Sequence, residues 1–224
     1  MKMHQTLTPY AAKFRALRDR TLFIARLGWR VGGRGLALLP RRKIDTPQPD
    51  DPSLIRDYDH IIEALQLGDT ALLERLGPEF AASADDFIGQ PWLFNAIDLG
   101  NLASLRWFLA QNVALDGADK AGRSPLQAAI ERAAAPDQDD ETPEDPLPMI
   151  EALLDAGAEI NAASRQGLTA LHVAAALGLC KVVRLLLARG ADPALRDEGF
   201  AGAAPFDYAV QAGHTEVAEL LRAV

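Results

Sequence analysis

Four histidines, one cysteine and one glycine-rich tetrapeptide are the places in this 224-residue chain where side chains could do chemistry. Nucleophilic catalysis needs a Ser or Cys activated by a base, and a metal centre needs His, Cys or carboxylates at short fixed spacings. Neither pattern forms. His4, His60, His172 and His214 are scattered, and no HExxH, CxxC or paired His/Cys spacing occurs. Cys180 falls at an apolar position at the start of an expected helix, which favours packing over nucleophilic use. GGRG at 32–35 is not followed by Lys-Ser/Thr and lacks dinucleotide-loop spacing, so a phosphate loop is not expected. The acid pairs Asp85 and Asp86, and Asp139 and Asp140, are expected on exposed loops where nothing shifts their protonation usefully. The chain is therefore expected to be no enzyme, with no catalytic residue, cofactor or metal.

The elements behind these residues are organised as a repeat. GLTALHVAAALGLCKVVRLLLARGAD at 167–192 is echoed by GAAPFDYAVQAGHTEVAELL at 202–221, with weaker echoes at 89–112 and 122–157. Counting back nine residues from the Gly that ends each first helix puts Pro91, Ser124, Thr169 and Ala204 in register, with Ala133 standing where one Gly should be. The spacings are 33, 45 and 35, so one unit carries 12 extra residues and the next carries 2. A residue closing a helix in the left-handed region should be Gly or, failing that, Asn; Asn112, Gly157 and Gly190 fill that place at the second helix of each unit. A fifth, degenerate unit fits DHIIEALQLGDTALLERLG, with Gly68 and Gly77 as terminators. A unit of about 33 residues is one supersecondary element whose apolar face only its neighbours can bury. Such a stack offers extended surface rather than a pocket.

TALHVAA at 169–175 and ARGADPALRD at 188–197 resemble ankyrin repeats, whose helix-turn-helix opens on a Thr-Pro-Leu-His-x-Ala pattern. SPLQAA at 124–129, APFDYA at 204–209 and the linking DAGAEINAAS at 155–164 carry the same resemblance, which covers about residues 58–224; WLFNAI at 92–97 departs from the usual opening. The resemblance implies an all-α ankyrin-repeat solenoid of four to five helix pairs, joined by β-turn fingers that form a recognition face with the first helices. It implies no reaction type. His172 stands where ankyrin sequences carry a hydrogen-bonding structural His, and His214 follows the helix-ending Gly; both are expected to be structural.

Hydrophobic residues at 49% and charged residues at 24% are ordinary for a folded soluble chain. One cysteine leaves no internal disulfide and fits a reducing compartment. No apolar run approaches the ~18–20 residues that span a bilayer, and no secretory signal pattern opens the chain, so a cytoplasmic location is expected. The net charge of −8 conceals an opposition. Residues 1–43 hold 11 Lys and Arg against Asp19, a net of +10; the remaining 181 hold 12 basic and 30 acidic side chains, a net of −18. The chain thus divides into a basic, partly helical arm (1–44), a Pro-rich linker (45–57) and the repeat domain (58–224). In the arm, Thr8 and Pro9 open a helix on which Tyr10, Phe14, Leu17, Thr21 and Ile24 share about a quarter of the wheel.

Four fates are open to the arm: a cap on its own array, a partner's groove, an anionic membrane surface reached through residues 9–43, or nucleic acid. The last is disfavoured by the acidic body and the missing motif. The stretch 135–148, APDQDDETPEDPLP, has six acids, four prolines and no base, and is expected as an extended loop between two helices of one unit. Finger residues Asp119, Lys120, Arg123, Ser164, Arg165, Gln166, Arg196 and Asp197 are the leading partner contacts. Trp92, Phe94 and Asn95 open a unit at positions partly exposed in the resembling family, although Trp92 could equally pack on the preceding unit; aromatic residues dominate interface hot spots. Trp107 replaces a buried Leu and reads as core. Phe200, in the extended finger EGFAGAA, completes the set with Phe14, Leu17, Arg18 and Ile24 of the arm. The expected function is an interaction protein for one dedicated partner, as inhibitor, immunity protein or accessory subunit. A peripheral membrane adaptor is the alternative. An Ala-, Leu- and Arg-rich composition hints at a GC-rich bacterial genome.

Overall fold

The helix terminators expected from the repeat register adopt the backbone that the role demands. Gly68, Gly100, Gly178 and Gly213 close first helices, and Gly77, Asn112, Gly157 and Gly190 close second helices, all at positive φ. Asn112, at φ 55°, is the one non-glycine residue in that region among the described residues. Asn tolerates the left-handed conformation better than other side chains, which is why it can replace Gly there. A computed structural model describes residues 58–85, 89–134, 145–164, 166–198 and 202–224. The expected arm helix and linker lie outside these residues.

Ten helices form among the described residues, in five pairs: α1 (Tyr58–Leu67) with α2 (Thr70–Ala81), α3 (Trp92–Leu99) with α4 (Leu102–Ala110), α5 (Pro125–Ala133) with α6 (Leu147–Asp155), α7 (Ala170–Ala176) with α8 (Cys180–Ala188), and α9 (Pro205–Ala212) with α10 (Thr215–Arg222). First helices pack on first helices and second on second, so the array has two layers. Each pair contributes apolar residues to one continuous core, including Leu65, Ile97, Phe108, Ile130, Leu171 and Leu186. Burying each such side chain contributes about 1.5–3 kcal/mol. Gly77 interrupts α2 at φ 77°, ψ 179°, and Pro78 opens the short turn that follows.

The fingers differ from strands: one isolated antiparallel bridge, Ala84 to Pro91, forms among the described residues. In the third pair, α5 ends at Ala133 with Ala134 right-handed, so no left-handed terminator replaces the missing Gly. Of the stretch 135–148 expected as a loop, 135–144 lies outside the described residues and the C-terminal end is helical. Leu147 and Pro148 already belong to the first turn of α6, where proline lacks only an N–H that has no helical partner.

Two kinds of side-chain hydrogen bond recur between pairs. The third residue of a first helix reaches the carbonyl just before the next unit's N-cap: Gln127 Nε2 donates to Leu168 O and His172 Nε2 lies 3.2 Å from Ala203 O. The residue after the first-helix Gly reaches back to the preceding unit, as Asn101 Nδ2 donates to Gln66 O at 3.1 Å and His214 Nε2 lies 3.2 Å from Ala176 O. That second contact needs the preceding glycine to be bare. A Cβ on Gly178 would lie 2.5 Å from His214 Nδ1, whereas one on Gly190 would meet nothing within 4 Å.

The expected consequence is a graded pair of substitutions. Gly178→Ala and Gly190→Ala both force alanine to positive φ, a cost of about 1–2 kcal/mol, but only Gly178→Ala also displaces the His214 ring. Urea unfolding should show the larger loss for Gly178→Ala. Equal losses would remove the close inter-unit contact as the reason for this glycine.

Candidate partner-binding face

Each finger is closed by a backbone hydrogen bond, and three of the four are held from behind by a buried carboxylate. In the finger before α5, Asp119 N–H donates to Arg123 O at 3.0 Å and Gly122 N–H to Asp119 O at 2.9 Å. The same closure recurs as Asp85 N–H to Gln90 O, Ser164 N–H to Leu168 O and Asp197 N–H to Ala203 O. Asp85, Asp119 and Asp197 are buried, and their carboxylates accept from Asn95 Nδ2 (3.0 Å), Arg123 N–H (2.8 Å) and the Tyr208 hydroxyl respectively. Glu198 N–H donates to Gln166 O at 3.1 Å, joining adjacent fingers through their backbones. A turn pinned in this way loses little conformational freedom on binding.

Arg123 stands at the centre of the most highly charged part of this face. Its guanidinium donates to Asp119 at 2.6 Å, to Glu131 at 3.1 Å and to Asp98 at 3.3 Å, and its side chain is 15% exposed. Asp119 belongs to the finger, Asp98 to α3 and Glu131 to α5, so one side chain ties the finger to two first helices. Gln90 Nε2 extends the network by donating to Asn95 Oδ1 at 3.0 Å and Asp98 Oδ2 at 3.4 Å. Three carboxylates share one cation. Burial raises the Asp98 and Glu131 carboxyls above the ordinary range, with Arg123 opposing the rise. Burial pulls the guanidinium the other way, yet Asp98, Asp119 and Glu131 together hold it more firmly protonated.

The expected contact residues divide into several groups. Lys120, Gln166 and Arg196 are exposed on fingers, with Arg196 Nη1 donating to Gly202 O at 2.6 Å. Ser164 is half-buried and its hydroxyl accepts from Gln166 N–H at 3.3 Å. Asp119, Arg123 and Asp197 are inward props of the fingers rather than projecting side chains. Arg165, Phe200, Phe14, Leu17, Arg18 and Ile24 lie outside the described residues.

Phe94 and Asn95 require correction, because they are not partly exposed but 2% and 7% exposed, while Trp92, at 5%, takes the packed alternative. Trp92 packs against Phe80 and Tyr58 of the preceding unit, with ring centroids 5.2 and 5.7 Å away. Phe80 also meets Trp107 and Phe108, which touch edge to face at 5.1 Å. These rings fill the junction of the first two pairs. Trp107 is core, as expected, with its indole N–H donating to Glu74 at 2.9 Å.

Asp85 is a second correction: it is 1% exposed and bonded to Asn95, not a free loop acid. Asp86 lies outside the described residues. Sequence reasoning also missed Asp98 and Glu131. Both stand seven residues after their unit starts, Pro91 and Ser124, so the register itself held the signal.

His172 and His214 make the inter-unit bonds above and are structural, as expected. Cys180 is half-buried, with its thiol pKa pushed up by burial and then by Glu216, which is unfavourable to a thiolate. Among the described residues no helix is long and apolar enough to cross a membrane.

Residues 144–223 match the family model for ankyrin repeats, in three copies. The chain is 33% identical over 128 residues to the rice (Oryza sativa subsp. japonica) "Probable E3 ubiquitin-protein ligase XBOS34", covering 56% of this chain and 22% of that protein. It is 33% identical over 113 residues to the Mus musculus B-cell lymphoma 3 protein homolog, covering 50% and 22%. A Rickettsia bellii protein whose name calls it an ankyrin repeat protein is 32% identical over 138 residues, 61% of this chain and 69% of that one. The chain thus spans about a fifth of the two eukaryotic relatives and over two thirds of the bacterial one.

Removing Arg123 should leave Asp98, Asp119 and Glu131 facing one another without a cation. Arg123→Gln is expected to cost about 3 kcal/mol at neutral pH. Asp98→Asn in that background should recover part of the loss, because it removes a buried charge whose partner has gone. The deficit should also shrink as pH falls. Arg123 holds the Asp98 and Glu131 carboxyls down against burial, so its loss lets both rise further and the variant gains more stability on acidification than the wild type. Urea unfolding of the single and double variants tests this; a double variant no more stable than Arg123→Gln would exclude the shared-cation account.

Proposed function

The chain belongs to the ankyrin-repeat family, and on that premise we propose that it is a non-catalytic protein-interaction module that holds one dedicated partner protein, as an inhibitor, an immunity protein or an accessory subunit. The observation that carries this reading is the row of fingers. Their backbones are closed by hydrogen bonds, three of them are propped by the buried Asp85, Asp119 and Asp197 carboxylates, and Lys120, Gln166 and Arg196 are exposed on them. Rigid turns presenting varied polar side chains give affinity at low entropic cost and select a partner by pattern. The unit-specific features of this chain, the Arg123 cluster and the acidic stretch at 135–144, favour one fixed partner over a general scaffold. A bacterial, cytoplasmic setting belongs to the same proposal and is supported by the Rickettsia relative and by composition.

A peripheral membrane adaptor is the second reading, favoured by the 11 basic residues against one acid in 1–43. Each basic residue near an anionic surface adds about 1 kcal/mol of attraction.

The two readings part in one experiment. Full-length protein and a Lys120→Ser/Gln166→Ser/Arg196→Ser variant, both checked for helicity, are used to capture partners from the source cell and then mixed with vesicles of rising anionic-lipid content. Dedicated binding predicts one protein retained at one-to-one stoichiometry and reduced at least about tenfold in affinity by the triple variant, roughly 1.4 kcal/mol. Salt-sensitive vesicle binding that is equal for both forms, with no stoichiometric protein, would replace the first reading by the second.

A further inference from the structure

Both of the recurring side-chain bonds that tie the last helix pair to the array are made by histidines. His172, in α7, lies 3.2 Å through Nε2 from Ala203 O, and His214, which precedes α10, lies 3.2 Å through Nε2 from Ala176 O. Earlier in the array the same two roles fall to amides, Gln127 toward Leu168 and Asn101 toward Gln66. A carboxamide does not titrate near neutrality, whereas an imidazole does. We propose that this junction makes docking of α9 and α10 conditional on pH, so that mild acid releases the last helix pair while the amide-tied pairs remain in place.

The hydrogen bonds fix which nitrogen carries the proton. His172 Nδ1 accepts from Thr169 N–H at 3.1 Å and lies 2.9 Å from Thr169 Oγ1. A backbone N–H can only donate, so Nδ1 must keep its lone pair; a carbonyl can only accept, so Nε2 must carry the hydrogen. Protonation leaves the Nε2–H bond to Ala203 O in place but puts a second hydrogen on Nδ1, directly against the Thr169 N–H. It also puts a charge on a fully buried ring.

The groups around the ring are the Asp197 carboxylate of the finger, the Asp207 carboxylate of α9, and Tyr208, whose ring meets the imidazole edge-on at 5.5 Å and whose hydroxyl donates to Asp197. Both carboxylates favour the imidazolium, but burial outweighs them and holds His172 below the ordinary histidine range. The bond that His214 makes runs from Nε2 to the Ala176 carbonyl, which can only accept. His172 carries the response.

The direction follows from linkage. A base whose folded-state pKa is lowered contributes its full stability above the unfolded value, about 6.5. That contribution is lost as pH falls below it, until the folded-state pKa is passed. Within that window the opening constant of the last pair rises as pH falls, by at most about tenfold per pH unit.

Hydrogen exchange by mass spectrometry on the full chain, at about pH 7.5 and about pH 5.5 and corrected for intrinsic rates, tests the device without any partner. Amides of α9 and α10 should lose more protection than those of α3, by at most about tenfold. H172Q, which copies Gln127, should keep its protection at both pH values, and H214N, which copies Asn101, should respond to acid as the wild type does. Uniform loosening of all five pairs, or the same acid response in H172Q, would overturn the proposal. An NMR titration of the unaltered chain gives a second readout that needs no variant: a His172 imidazole that protonates at or above its ordinary pKa would also overturn it.

Discussion

The array depends on the bond that sets one helix pair against the next. No pair can bury its apolar face alone, and apolar packing by itself has no preferred angle. Direction comes from a side chain at the third position of a first helix, donating to the carbonyl just before the neighbouring N-cap. Gln127 and His172 both do this, and both also turn back on their own cap: Gln127 Oε1 accepts from Ser124 N–H at 2.8 Å, as His172 Nδ1 does from Thr169 N–H. One side chain thus starts its own helix and orients the next unit. The need for an acceptor and a donor on one short group explains why Gln and His fill the place.

Phe94 occupies that position in α3 and has neither group. The bond to the next unit is lost there, and Asn95 and Asp98 sit beside polar partners instead. The finger before α5 is held by Arg123 through Asp119, Asp98 and Glu131, a set of ion pairs reaching the same two units that an amide would have joined. An amide bond of that kind contributes about 0.5–1.5 kcal/mol at little desolvation cost. An ion cluster costs several kcal/mol in desolvation and recovers it only while complete. The second junction therefore has a different failure mode from the third, although both fix the same geometry.

How much of this could be read from the sequence depends on how local each cause is. A positive φ acts within one residue, so Gly178, Gly190 and even Asn112 were legible from register alone. Burial is set by what arrives from elsewhere. Trp92 could not be placed between surface and core because the rings that cover it, Tyr58 and Phe80, come from the degenerate first unit whose pattern is faint. Asp85 looked like a loop acid because its partner, Asn95, lies ten residues on and was itself expected at the surface. The Arg123 cluster lay between these cases. Asp98 and Glu131 share a register position, but an acid at that position means a prop only once the guanidinium is known to turn inward.

The same inward turn changes what the fingers can do. Asp119, Arg123 and Asp197 carry the charges that would have been assigned to recognition, yet they spend them on holding their own turns. Charge turned inward cannot meet a partner directly, but it fixes the side chains that do. Lys120 sits between Asp119 and Arg123, and its backbone position is set by both. Specificity in such a face is divided between residues that touch and residues that aim. The aiming residues are the ones whose loss the fold itself would register.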